Sequence, residues 1–418
     1  MGALDPGFES RDDAVPEVGS HARPSDGLRP KGDGHRPMPV YLDHHATTPV
    51  DPRVFDAMRP YFGDVFGNPG SRSHSFGWEA EEAVEHARGR VAAFMGASPH
   101  EVFFTSGATE SNQLALWGRV GFPPRPGGHV VTVATEHSSV LGACRRLAAA
   151  GTRVTVLPVE PDGLLDPSRV EAAIGPDTAV VSAMWANNEI GVVQPIARIA
   201  EICRRRGVAF HTDATQAAGW IPIDVRAVAV DLLSLSGHKV HGPKGVGVLY
   251  VRGGARATLL DPWMEGGGQE GGLRPGTPNV PGIVGMAEAC AIVRERRDTD
   301  APRVAALRDA LGERLLAGIP GATVNGSVAR RLPNNLSISF GGIDGERLMS
   351  ALTGVAVSNG AACSAAARRP SHVLEAIGVP ADRAQATLRF GLGRGTCPSD
   401  IRIAADHVIR IVGLLRGG

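Results

Sequence analysis

Lysine is scarce in this chain and stands in one conspicuous place. Of its 43 lysines and arginines only three, Lys31, Lys239 and Lys244, are lysine, and two of these fall in Ser236-Gly237-His238-Lys239-Val240-His241-Gly242-Pro243-Lys244. Arginine carries a surface charge as well as lysine does, but its guanidinium cannot form an imine with an aldehyde. Lys239 is therefore a candidate imine-forming amine, although a solvated turn lysine fits the same residues taken alone. Other groups must decide. Thr105-Ser106-Gly107-Ala108-Thr109-Glu110-Ser111-Asn112 is a small-residue loop opening a helix, whose free N–H groups and dipole favour a phosphate. Glu136-His137, Asn187-Asn188-Glu189 and Asp213-Ala214-Thr215-Gln216 add an imidazole, amides and a carboxylate. Each could be a helix cap or a surface group. Together they supply a phosphate anchor, a ring to stack on, a carboxylate for a pyridine nitrogen and an amine, which is what pyridoxal phosphate requires.

The elements that must position these groups alternate. Val102–Thr105, Val130–Val133, Val154–Leu157, Ala179–Met184, Val208–Thr212, Leu232–Leu235 and Val246–Val251 read as buried strands, most of them separated by helical patterns. Short continuous apolar strands between helices predict a mostly parallel α/β sheet covered on both faces. Ligands of such sheets sit at the carboxyl ends of strands, and each candidate group above follows a strand. Before the sheet, Tyr41-Leu42 begins a short extended stretch, Thr48–Pro52 turns into a helix to about Tyr61, and Trp78–Met95 has helical spacing closed by Gly96.

Beyond about Pro302 the pattern changes to α+β. Asn335–Phe340, Val355–Val357 and Thr387–Phe390 read as strands. Pro302–Ala317, Gly345–Leu352, Ser371–Ile377 and Ser399–Leu415 read as helices, with Pro302 in the first turn, where a missing N–H costs nothing. The expected division is a large domain over residues 52–295, with 38–51 and 296–418 forming a smaller one. Residues 1–37 lack periodicity and read as a disordered leader or an appended segment.

The 418 residues suffice for two or so domains, and 43% apolar with 21% charged residues describes a globular protein. A formal charge of zero without a basic stripe argues against direct nucleic-acid binding. No apolar run reaches the roughly 20 residues of a membrane span, and the start has no signal-peptide core. The five cysteines, Cys144, Cys203, Cys290, Cys363 and Cys397, are widely spaced and odd in number, which argues against a disulfide framework or structural zinc and for a reducing cytoplasm. No metal site is expected. Cys144, Cys203 and Cys290 fall in helical patterns as small core residues, and Cys397 in a Gly/Pro turn. Cys363 instead centres the run Ser358–Pro370, made mostly of small residues.

TSGATESN, ATEHSSV, ANNEIGVVQP, HTDATQ, SGHKVHGPKGVG, GGGQEGGLRPGTPN, SNGAACSAA and LRFGLGR, in this order from about Tyr41 to the last helix, resemble the cysteine desulfurases of the class V aminotransferase group. The resemblance implies an aspartate-aminotransferase-like fold (fold type I of the pyridoxal phosphate enzymes), with a seven-stranded mostly parallel sheet, working as a homodimer. It makes Lys239 the Schiff-base lysine, sets Asp213 against the pyridine nitrogen and Gln216 against the ring oxygen, and stacks His137 on the ring, where it serves proton transfer. Ala108, Thr109, Ser236 and His238 would hold the phosphate, joined by Thr277 of a neighbouring subunit. Asn188 and Arg389 resemble the pair that receives the substrate carboxylate, a task suited to a planar guanidinium, and Lys244 is a loop or surface lysine.

The same resemblance gives Cys363 the sulfur, taken from L-cysteine as a persulfide with alanine as coproduct. The loop before Pro370 resembles that of the long-loop subgroup. Family members more often have Ser-Gly-Ser-Ala-Cys, so Asn359 and Ala361 are departures that leave the nucleophile in place. The implied partner is a sulfur-acceptor or scaffold protein serving iron-sulfur assembly, tRNA thiolation or DNA phosphorothioation, with HHATTP and SNGAACSAAARR leaning towards the last. A class V aminotransferase or a selenocysteine lyase would share the lysine, aspartate and histidine, and a non-catalytic sulfur-transfer scaffold is the reading from a different class.

Overall fold

The structure, a computed structural model, describes residues 38–122, 127–254, 260–359 and 371–417. The expected leader and Cys363 lie outside the described residues.

The chain begins with β1 (Val40–Tyr41), α1 (Pro52–Met58) and α2 (Ser75–Met95), then enters the sheet. Its strands are β2 (Val102–Thr105), β3 (His129–Val133), β4 (Arg153–Leu157), β5 (Thr178–Ser182), β6 (Ala209–Asp213), β7 (Leu232–Ser236) and β8 (Gly247–Val251), in spatial order β2-β8-β7-β6-β5-β3-β4. The β4-β3-β5-β6-β7 run is parallel. Strand β8 is antiparallel to both its neighbours, β7 and β2. All seven expected strands are present, each within two residues of its expected ends. Val130, Val181, Leu233 and Val248 are at most 1% exposed, because α3 (Ala108–Val120), α4 (Ser138–Ala149), α5 (Pro167–Ala173), α6 (Ile196–Arg206) and the earlier helices leave the inner strands no solvent face. Strand β4 corrects the expectation of uniform burial: it is an edge strand, and Val156 is 49% exposed.

A second hydrophobic core forms around β10 (Asn335–Ser339), which pairs antiparallel with β9 (Thr323–Val324) and β12 (Thr387–Gly391). Strand β1 returns to this region by pairing parallel with β11 (Val355–Ala356), which places Leu42 in the second core. Helices α8 (Gly345–Ala351), α9 (His372–Ala376), α10 (Ala381–Gln385) and α11 (Pro398–Gly417) complete the described chain, α8 and α11 burying Leu348 and Val408 in this core.

One expectation fails. Pro302 does not open a helix but lies inside α7 (Val280–Gly318), which runs unbroken for 39 residues. An internal proline costs about 3 kcal/mol. Against this, the first half of α7 buries Ile283, Met286, Cys290 and Val293 in the large core and the second half buries Val304, Leu311 and Leu315 in the other. At roughly 1.5–3 kcal/mol per large buried side chain, burial on both sides outweighs the proline.

Candidate active site

Chemistry-bearing side chains collect where the parallel strands end. Asp213 is the last residue of β6 and 6% exposed; its Oδ2 accepts from Asn112 Nδ2 at 2.8 Å and its Oδ1 from the Thr215 amide at 2.9 Å. Asn112 Nδ2 also donates to Ser139 Oγ at 2.9 Å, and Ser139 Oγ lies 2.8 Å from His137 Nδ1. One amide thus ties the carboxylate of β6 to the imidazole that caps α4. Burial lowers the pKa of His137; the Asp213 charge works against that shift and Lys239 with it, so both act on one ring. The imidazole is neutral at neutral pH.

Lys239 ends the one-turn helix that follows β7. Its Nζ donates to the carbonyls of His45 at 2.5 Å and Ala46 at 2.7 Å. On the same turn, His238 Nδ1 lies 3.1 Å from Thr47 Oγ1, and burial lowers its pKa to about 4, helped by Lys239 and Lys244. Ser236 is buried at the end of β7. Gln216 Nε2 donates to His45 O at 3.1 Å, and Gln216 Oε1 lies 2.8 Å from His45 Nδ1.

Ala108 and Thr109 begin α3, which no side chain caps. The first-turn carboxylate, Glu110, is paired with Arg274 at 3.0 Å. Gly247 must lack a side chain here, since a Cβ would lie 2.5 Å from Gly107 Cα, whereas a Cβ on Gly107 would meet only Ser236 Oγ, at 3.8 Å. The helix start is therefore open on the side facing Ser236. An uncapped 13-residue helix, a buried carboxylate fixed by two donors and an amine on the neighbouring turn fit a group that carries an anion, a basic nitrogen and an aldehyde.

Arg389, in β12 of the second core, is 4% exposed; its Nη2 donates to Asp43 Oδ1 at 2.9 Å and its Nη1 to the Asn188 carbonyl at 3.1 Å. Asn188 and Arg389 do meet, through the Asn188 main chain. Thr277 is exposed on the loop before α7, and Lys244 is exposed as expected. The residues flanking the segment of Cys363 are tied to the same surroundings. Ser358 exchanges main-chain bonds with Arg389, Ser371 Oγ donates to Glu189 Oε2, and His372 Nε2 lies 2.9 Å from the Glu136 carbonyl.

Four further groups shape the site, none of them with a role assigned from the sequence. Asn112 lies one helical turn into the α3 start and was visible only as part of the phosphate-loop motif. Glu136 is fully buried, and burial raises its carboxyl well above the usual range; Oε1 accepts from the Met184 amide at 2.5 Å. His45 and Asn335 follow no strand of the large sheet, so their place in the sequence does not mark them. Among the described residues no group of three or more His, Cys, Asp and Glu could hold a metal ion, and no helix is long and apolar enough to cross a membrane.

The fold and the edge define an α/β protein with a mostly parallel sheet whose carboxyl ends gather an amine, a carboxylate and an imidazole. More specifically, the chain belongs to the aminotransferase class-V family, whose model matches residues 40–403. It is 52% identical to the cysteine desulfurase IscS of Anaeromyxobacter dehalogenans strain 2CP-C over 376 residues, 90% of this chain and 92% of that one. Among solved structures it is similar to a NifS-like protein (TM-score 0.84, 37% identity, 90% of this chain and 100% of that one). It is also similar to SspA in complex with cysteine (TM-score 0.75, 37% identity, 84% and 98%).

Proposed function

We propose that the chain is a pyridoxal-phosphate-dependent cysteine desulfurase that converts L-cysteine to L-alanine and takes the sulfur onto Cys363 as a persulfide. The observation that carries this reading is the meeting of Asp213 and His137, tied through Asn112 and Ser139, at the sheet edge where the Lys239 charge acts on the same imidazole. Similarity to a named cysteine desulfurase at 52% identity supports it. The bound cofactor supplies the electrophilic carbonyl and the electron sink.

The chain's own residues supply the rest. The Lys239 amine would hold the cofactor and move the substrate α-proton. The Asp213 carboxylate, fixed by Asn112 and the Thr215 amide, would pair with the pyridine nitrogen, and Gln216 would serve the ring oxygen. His137 is held by Ser139 with its ring neutral, able to stack and to accept a proton. Ala108, Thr109, Ser236 and His238 would hold the phosphate at the α3 start, with Thr277 of a second copy. Asn188 and the Arg389 fork receive the substrate carboxylate. The Cys363 thiolate attacks the substrate sulfur, so that an S–S bond forms as the C–S bond breaks and the carbon skeleton leaves as alanine.

Within the same reading, residues 52–295 form the cofactor-binding domain and 38–51 with 296–418 the smaller one, in keeping with the two hydrophobic cores. Exposed Thr277 and the exposed Phe66–Phe76 ring pair, with centroids 5.4 Å apart, support a homodimer. The free thiols of Cys144, Cys203, Cys290 and Cys397 support a reducing cytoplasm. A protein receives the sulfur, and label from sulfur-35 cysteine in iron-sulfur proteins, tRNA or DNA identifies the pathway.

Purified protein given L-cysteine and a thiol reductant tests the reading. Sulfide and alanine in equal amounts, with a visible cofactor band, are expected. Transamination without sulfide would identify an aminotransferase instead.

A further inference from the structure

His45 reaches the site from the stretch after β1 and is 1% exposed. Its ring lies between two amides, with Gln216 Oε1 2.8 Å from Nδ1 and Asn335 Nδ2 3.1 Å from Nε2. The orientation of both amides is set independently of the ring. Asn335 Nδ2 also donates to the Glu189 carbonyl at 3.1 Å while Asn335 Oδ1 accepts from Arg331 Nη1 at 3.2 Å. Gln216 Nε2 donates to the His45 carbonyl at 3.1 Å. Nε2 of His45 must therefore accept, and Nδ1 must carry the proton and donate to Gln216. Burial keeps this imidazole neutral, with its pKa near 3. The approach of Asn335 requires Gly191, since a Cβ there would lie 2.4 Å from the Asn335 amide carbon.

The His45 main chain adds a second function. Its carbonyl and that of Ala46 accept from Lys239 Nζ at 2.5 and 2.7 Å. These two carbonyls hold the end of the Lys239 side chain against the His45–Ala46 main chain.

Building on the reading of Lys239 and Gln216 given above, we propose that His45 is a positioning residue for the reaction. Its Nδ1–H locks the Gln216 amide, and its carbonyl, with that of Ala46, receives the Lys239 amine whenever that amine is free. The lock decides which atom Gln216 offers. With Oε1 held by Nδ1–H and one Nε2 hydrogen on the His45 carbonyl, one Nε2–H remains to donate to a ring oxygen. The opposite tautomer would turn the amide and set oxygen against oxygen.

The test uses the cofactor-loaded enzyme with His45→Ala, His45→Asn, whose side chain is too short to bridge both amides, and His45→Gln, whose amide can donate to Gln216 and accept from Asn335. Thermal unfolding, loss of cofactor on dialysis, the pH midpoint of the visible band, kcat and KM are measured. For His45→Ala and His45→Asn the expected result is a midpoint displaced by about half a unit or more, faster cofactor loss, and a kcat about tenfold lower with KM nearly unchanged. His45→Gln recovers most of each difference. Folded His45→Ala or His45→Asn protein with wild-type midpoint, retention and kcat would overturn the proposal, as would folded His45→Gln that is no better than either. A Lys239→Ala enzyme that keeps the visible band would overturn the underlying assignment of Lys239, and the proposal with it.

Discussion

Arg389 Nη2 lies 2.9 Å from Asp43 Oδ1, an ion pair that joins β12 to the chain just beyond β1. With Nη1 on the Asn188 carbonyl, this pair fixes the plane of a guanidinium that is only 4% exposed. A lysine at this position would keep the charge and lose the fork. Arg389→Lys is therefore expected to lower kcat/KM for L-cysteine by about 10- to 100-fold, mostly through KM. Steady-state sulfide release checks this, and a loss confined to kcat would show that Arg389 does not bind the substrate carboxylate.

Cys363→Ser should retain the cofactor and its visible band while losing sulfide release and persulfide formation. An alcohol is far less nucleophilic than a thiolate at neutral pH. Retained sulfide release in this variant would move the persulfide to another cysteine. Among the described cysteines, Cys144, Cys203 and Cys290 are poor alternatives because burial raises each thiol to a pKa of about 12.

Asn112→Ala leaves Asp213 Oδ2 and Ser139 Oγ without their shared donor, at an expected cost of about 1–3 kcal/mol. Asn112→Asp should be worse, because it sets a second carboxylate against Asp213. Urea unfolding midpoints with unchanged slopes would show both effects. An Asn112→Asp protein as stable as wild type would mean that Asn112 is not the tie between these elements.

The strands and the Lys239, Asp213 and His137 positions were legible because both signals are local. A buried parallel strand is a short apolar run, and its functional residue comes directly after it. His45 was illegible because its partners Gln216 and Asn335 lie 171 and 290 residues away. No local pattern encodes that meeting. Pro302 misled for the opposite reason: a sound local rule lost to two hydrophobic cores that α7 spans. The exposure of Val156 follows from β4 being last in the spatial order, which strand composition does not reveal.

Acid should destabilise the fold steeply. Burial holds His44, His211 and His238 at a pKa of about 4 and His45 and His241 at about 3, all below the ordinary 6.5. These rings stay neutral when folded and take up protons when unfolded. Their contribution is thus fully present above about pH 6.5 and is lost as pH falls towards 4. Unfolding free energies at several pH values should fall by more than about 1.4 kcal/mol per unit between pH 6.5 and 5, the signature of more than one proton. A flat profile in that range would contradict the buried neutral histidines.

On the proposed function, Lys239 carries the cofactor. Borohydride reduction of the purified enzyme, followed by proteolysis and peptide mass spectrometry, tests it most directly, because only Lys31, Lys239 and Lys244 could be labelled as lysines. The expected result is a single pyridoxyl-phosphate adduct on Lys239. An adduct on Lys244, or none on any lysine, would rule out Lys239 as the cofactor's anchor.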